Sequence, residues 1–197
     1  MNTEQTTEQK ILHSATAIFI REGYAGARMQ AIADHAGINK ALLHYYFKSK
    51  DKLFEKIFES KYQMLLPKLQ NILNEKVTIF EVVDKIIDAY LDMLSENPYL
   101  PALVISTVNH HPEFLKKIPA ALPTLVQAKF QEAIQSGIIK PINPVQFFIS
   151  LISLCIAPYA MKPMIMHMMQ MDEKTFLYTV EQRRAIVKTY MRDILKS

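Results

Sequence analysis

Glycine, tryptophan and cysteine are scarce in this chain. Only 4 of its 197 residues are Gly, none is Trp, and Cys155 is the single cysteine. So few glycines argue against turn-dense sandwiches and barrels. One thiol rules out an intrachain disulfide, makes a reducing compartment the simpler setting, and is expected in a packed core. The longest apolar run, Val145 to Met161, lies near the lower length limit for a membrane helix and is interrupted by Gln146, Ser150, Ser153 and Pro158. A helix buried on most of its circumference is the expectation, with no membrane partner. Residues Met1 to Gln9 are polar, include Glu4 and Glu8, and lack the cationic and apolar regions of an export signal. A cytoplasmic location is therefore expected.

Catalytic signatures are missing as well. There is no GxSxG, P-loop, dinucleotide fingerprint, HExxH or paired-cysteine motif, and no His/Ser/Asp grouping is suggested by spacing. No catalytic residue or cofactor is assigned, and an enzyme is not expected. His110 and His111 are neighbours, which places them about 100° apart on a helix and prevents easy chelation of one ion, so no metal site is expected either.

What is present is apolar periodicity and a local positive charge. Half the residues are apolar and the formal net charge is +4. From Ala36 to Lys50 there are three cations, Lys40, Lys48 and Lys50, and no acid. Such a field suits phosphates, whose condensed counterions are released on binding; an ordinary solvated face has the same composition.

The 3.6-residue period predicts helices almost throughout and no sheet. Thr6 and Gln9 have capping-box spacing, and Ile11, Ala15, Ile18 and Phe19 share a face until Gly23 offers a stop. Met29, Ile32, Ala33 and Ala36 make a short second helix, and Asn39 caps a third from Lys40 to about Phe47. Ser49 caps a fourth, whose stripe is Leu53, Phe54, Ile57, Phe58, Tyr62, Leu65 and Leu69, and which Pro67 should kink or end. Further helices are predicted at about Ile79–Ser95, Pro98–His110, Pro123–Ser136, Pro144–Met169 with a break at Pro158 or Pro163, and Glu173–Leu195.

Two short helices that cross steeply need a small residue on the first, a turn glycine and apolar anchors on the second. Ala33, Gly37 and Leu43 have that arrangement, with Ile32, Ala36 and Ile38 in the crevice. Lys40, Ala41, His44 and Tyr45 then fall on the open side of the third helix, where a small Ala41 permits close approach to bases and the other three can donate to bases or phosphates. Tyr46 and Phe47 are expected to point mainly inward.

Phe19 to Gly23, Tyr24, Met29, Ile32-Ala33, Ala36-Gly37-Ile38 and the run from Lys40 to Leu53 (KALLHYYFKSKDKL) resemble the N-terminal DNA-binding domain of TetR family regulators over about residues 8 to 58. The resemblance implies an all-α chain with a three-helix helix-turn-helix domain, residues 1–50, followed by a larger helical domain for effector binding and dimerisation, residues 51–197. It implies a homodimer on double-stranded, palindromic operator DNA, acting as a repressor. Asn39 stands where the family often has Ser at the cap of the recognition helix, within reach of a phosphate. Lys40 and Ala41 stand at base-facing positions, His44 at the usual Tyr position, and Tyr45 where an aromatic residue or His is common. Lys48 precedes the fourth helix, whose positive N-terminal end favours a phosphate, and Lys50 joins this set. Arg28 departs from the usual Thr, substituting a longer arm that reaches phosphate or base.

The rest of the chain has no equally specific motif. Phe147, Phe148, Leu151, Ile152, Leu154 and Cys155, and Phe176, Leu177, Val180, Ile186, Val187, Tyr190, Met191, Ile194 and Leu195, make broad apolar faces that suit either a partner subunit or the chain's own core. Tyr90, Val104, Val108, Asn109, Phe130, Ile134, Tyr159 and Tyr178 are candidate pocket residues for a small hydrophobic or amphipathic effector. The methionine-rich run from Met161 to Met171 fits an adaptable pocket lining or packing. A DNA-binding dimer without an effector, and a helical interaction module, are the alternatives.

Overall fold

A computed structural model describes residues 6–109, 111–113 and 121–196, except the side chains of residues 62 and 121–123. His110, considered above beside His111, and the side chains of Tyr62 and Pro123 lie outside the described residues. Among the described residues there are ten helices and no strand: α1 Thr7–Gly26, α2 Met29–Ala36, α3 Lys40–Tyr46, α4 Lys50–Asn74, α5 Ile79–Glu96, α6 Leu100–Val108, α7 Ala121–Gln135, α8 Pro144–Ala160, α9 Lys162–Met168 and α10 Glu173–Leu195. They form two compact units, one from the described residues of Met1–Met64 and Leu103–Lys116, the other from those of Leu65–Ala102 and Lys117–Ser197.

In the first unit the Thr6–Gln9 capping box is formed in both directions. Gly23 is a departure from the expected helix end: it adopts φ 69°, ψ 167° and breaks the helical path, yet a further turn continues to Gly26. Only a residue without Cβ takes that backbone cheaply, and the break leaves Tyr24 buried against α4, with ring centroids 5.7 Å from Phe19 and 5.3 Å from Phe54. Ile11, Ala15, Ile18, Ile32, Ala33, Leu43 and Leu53 complete a dry centre.

Pro67 does not end the helix, since α4 runs on to Asn74. Pro67 and Gln63 are both exposed, so the carbonyl released four residues back is open to water. In the second unit α5 packs on α8 and α10, and α7 on α8. Val82, Val83, Ile86, Ile87, Phe147, Leu151, Cys155, Phe176, Val187 and Met191 belong to its core. The break expected at Pro158 or Pro163 falls between them, at Met161. Pro158 stays inside α8 because Arg183 Nε donates at 3.0 Å to the Leu154 carbonyl, replacing the N–H that proline lacks. Pro163 sits in the first turn of α9, where no N–H is needed.

One face of α5 is tied to α10 by charge. Asp84, Asp88 and Asp92 recur every fourth residue, as do Arg184, Lys188 and Arg192, and the two rows meet head to tail. Arg192 Nε donates to Asp84 at 3.0 Å, Lys188 to Asp88 at 2.7 Å, and Arg184 to Asp88 at 3.0 Å and Asp92 at 2.8 Å. No single helix among the described residues is long and apolar enough to cross a membrane; α8 and α9 together have the length and composition, but the chain bends by 67° between them.

Candidate DNA-binding surface

The geometry of α2, its turn and α3 follows from three local choices. Ala33, fully buried, lets α3 approach α2 closely. Gly37 takes the left-handed conformation, φ 68° and ψ 31°, closing α2 while the Ile38 N–H donates to Ala33 O at 3.0 Å. Asn39 then starts α3, its side-chain oxygen accepting from Leu42 N at 2.8 Å. Leu43 is fully buried and Phe47 nearly so, which fixes the roll of α3. Tyr46 departs from the sequence reading: it is 41% exposed and meets Tyr45 edge-on at 5.6 Å, while Leu43 and Phe47 take the inward positions.

With the roll fixed, Lys40 and Ala41 are exposed, His44 is half-exposed and Tyr45 is 74% exposed, so the four presumed readers share the open side of α3. Lys48 is exposed, its Nζ 5.9 Å from the Tyr45 ring centroid. Arg28, at the N-terminal boundary of α2, is exposed and makes no capping bond. Among the described residues no acid is in salt-bridge range of Arg28, Lys40 or Lys48. An uncompensated cationic surface around a narrow helix tip is the electrostatic footprint of a duplex reader.

Lys50 behaves differently. Its ammonium donates to the carbonyls of Tyr24 (2.7 Å), Ala27 (3.2 Å) and Ala25 (3.3 Å) and lies 4.7 Å from the Tyr24 ring centroid. It therefore closes the carbonyl end of α1 rather than standing open with Lys48. The Tyr24 hydroxyl in turn donates to Asp51, and its pKa is raised, first by burial and then by that bond and the charges of Asp51, Glu113 and Glu55. Tyr24 is among the residues that carry the resemblance, without a role assigned to it; its partners, 26 and 27 residues away, are invisible to local pattern.

The model of the bacterial regulatory proteins, tetR family, matches residues 11–57, the segment whose geometry has just been described. Residues 11–57 are thus a DNA-binding domain of the TetR type. The protein is a DNA-binding transcriptional regulator. The chain is 24% identical over 144 residues to the uncharacterised HTH-type transcriptional regulator YhgD of Bacillus subtilis, covering 68% of the chain and 72% of YhgD. Its fold is that of a Clostridium perfringens protein provisionally named a fatty acid metabolism regulator, with TM-score 0.76, 21% identity, and coverage of 95% and 99% of the two chains. It is also that of FadR from Bacillus subtilis, solved in complex with stearoyl-CoA, with TM-score 0.67, 17% identity, and coverage of 90% and 96%.

The candidate pocket residues of this regulator are dispersed. Tyr90, Phe130, Ile134 and Tyr159 join one apolar cluster in the second unit, the Phe130 ring lying 5.0 Å from that of Phe147 at a tilt of 55°. Val104, Val108 and Asn109 belong to the first unit. Tyr178 is 65% exposed on α10, because the inward face of that helix is taken by Phe176 and Val180. A cavity of about 350 Å³ in the first unit is lined instead by Tyr24, Ala25, Lys50, Asp51, Ser106 and His111. The broad apolar faces also divide: Phe147, Leu151, Cys155, Phe176, Val180, Val187, Met191 and Leu195 are core, whereas Val145 and Ile149 on α8 and Ile186, Tyr190 and Ile194 on α10 are exposed.

Proposed function

We propose that this regulator is a repressor that binds a palindromic operator as a homodimer and is released by a small, largely apolar effector. The observation that carries the reading is the open side of α3, where Lys40, Ala41, His44 and Tyr45 stand together over a fully buried Leu43. In the major groove these four face base edges, while Arg28 and Lys48 hold phosphates on either side. Asn39 sets the start of α3, and Lys50 secures the end of α1 against which the reader is built.

Homodimerisation is supported by the exposed rows Val145/Ile149 and Ile186/Tyr190/Ile194, spaced four residues apart along two helices of the second unit. A dimer over a promoter represses by occupancy. An effector acts only if it binds the arrangement that cannot grip DNA more tightly than the one that can. Its apolar character is supported by the cluster holding Tyr90, Phe130, Ile134 and Tyr159, and by the fold shared with FadR in complex with stearoyl-CoA.

The test is selection from a randomised duplex pool followed by fluorescence anisotropy on the enriched sequence, with and without long-chain acyl-CoA. A palindromic consensus whose affinity falls on adding acyl-CoA supports the whole reading. Enrichment that acyl-CoA leaves unchanged removes this effector class, and no enrichment removes operator recognition.

A further inference from the structure

DNA binding and dimerisation leave one conspicuous segment unused. Residues 161–171 (MKPMIMHMMQM) hold six of the chain's 11 methionines and not one acid. A core would hide such side chains, yet Met161, Met164, Met169 and Met168 are 43, 47, 61 and 64% exposed. The 67° bend at Met161 turns α9 away from the line of α8. Met161, the cap residue of α9, and Met164 and Met168 within it follow at intervals of three and four along one side of the helix, with His167 exposed beside Met164.

Residues three and four apart on a helix have Cβ atoms about 5–6 Å apart. Methionine's three unbranched torsions allow sulfurs at that spacing to close on one centre. The donors in this face are neutral thioethers and one imidazole, and soft donors of that kind select Cu(I) over the hard divalent ions, which take oxygen ligands. The neighbouring cation is drawn aside: Lys162 donates to Glu173 at 2.5 Å and lies 5.3 Å from the Phe176 ring centroid. The far end of the face is fixed too, because Met171 N donates to Met166 O at 2.9 Å and Gln170 N to His167 O at 3.3 Å around a left-handed Gln170.

We propose that the exposed face of α9 is a binding site for a soft monovalent metal ion, Cu(I) or its analogue Ag(I), ligated by the thioether sulfurs of Met161, Met164 and Met168 with His167 as an additional donor. The site takes the ion without redox chemistry and without displacing a proton from the sulfurs. It is separate from Cys155, whose thiol is fully buried and pushed up to about 12 by burial.

The experiment is an Ag⁺ titration, in chloride-free buffer, of the full chain labelled with ¹³C at the methionine methyl groups. The expected result is saturation at one equivalent, with the Met161, Met164 and Met168 methyl signals shifting together and Met64, exposed but isolated, staying in place. The double substitution Met164→Leu, Met168→Leu conserves side-chain volume and should weaken Ag⁺ binding by about tenfold or more, while Zn²⁺ moves none of these signals. Shifts in the α9 methyls no larger than that of Met64, or Ag⁺ affinity that survives the double substitution, would overturn the site; ion capture by Cys155 alone would leave the α9 methyls unmoved and overturn it equally.

Discussion

Lys48 and Lys50 are two residues apart, equally cationic, and should behave in opposite ways when each is replaced by Met. The Lys50 ammonium donates to three carbonyls at 2.7, 3.2 and 3.3 Å and sits on the Tyr24 ring. A hydrogen bond to a charged group contributes about 1.5–3 kcal/mol, but Lys50 is half-buried and water can replace part of what is lost. Lys50→Met should therefore cost about 2 kcal/mol of folding stability, including a ring contribution of roughly 0.5–1 kcal/mol. Lys48 is exposed and, among the described residues, makes only the distant contact with Tyr45, so Lys48→Met should stay within about 0.5 kcal/mol. DNA binding reverses the order. Each phosphate contact contributes about 0.9 to the slope of log affinity against log salt. Lys48→Met in both subunits of a dimer should thus flatten that slope by roughly 2, whereas Lys50→Met should leave it unchanged under conditions where the variant is folded. Urea denaturation and anisotropy across a salt series read the two quantities separately. A Lys50→Met protein of full stability with a flattened slope would refute the reasoning.

Gly37→Ala should destabilise by about 1–2 kcal/mol in urea melts, since an added Cβ meets nothing within 4 Å and only the left-handed φ of 68° is penalised. Arg183→Ala orphans the Leu154 carbonyl behind Pro158 and should cost about 1–3 kcal/mol, visible as faster amide exchange in the middle of α8. Tyr45→Ala should weaken operator affinity with stability unchanged within about 0.5 kcal/mol, a combination that a core tyrosine would not give. Burial alone would raise the Asp88 pKa, but the hydrogen bonds and charges of Lys188 and Arg184 outweigh it and hold it low. A carboxyl depressed on folding adds stability that is present above its unfolded pKa of about 3.9 and is lost as pH falls through the lower folded value. Asp88→Asn should therefore flatten the acid limb of stability against pH and lower stability at neutral pH.

The parts of the structure written in short range were legible. Thr6 with Gln9, Gly37, Asn39 and Leu43 act on neighbours within five residues, and α10 begins and ends where periodicity puts it. What escaped was decided by partners distant in sequence. Lys50 reads as one more exposed cation until α1 brings its carbonyls within reach. Pro158 reads as a helix break until Arg183 replaces the missing donor from 25 residues further on, so that the break moves to Met161. The Asp84/Asp88/Asp92 and Arg184/Lys188/Arg192 rows are plain on each helix, but only antiparallel packing makes them one feature. Tyr178 is exposed because Phe176, two positions earlier, takes the inward face of α10.

The most direct test of the account is a hydroxyl-radical footprint of the full chain on the duplex enriched by selection. Two protected half-sites related by a two-fold axis, their centres about 34–36 Å or a multiple apart, and both lost together in Tyr45→Ala, are the predicted result. One asymmetric protected stretch, or protection that Tyr45→Ala leaves intact, would contradict it.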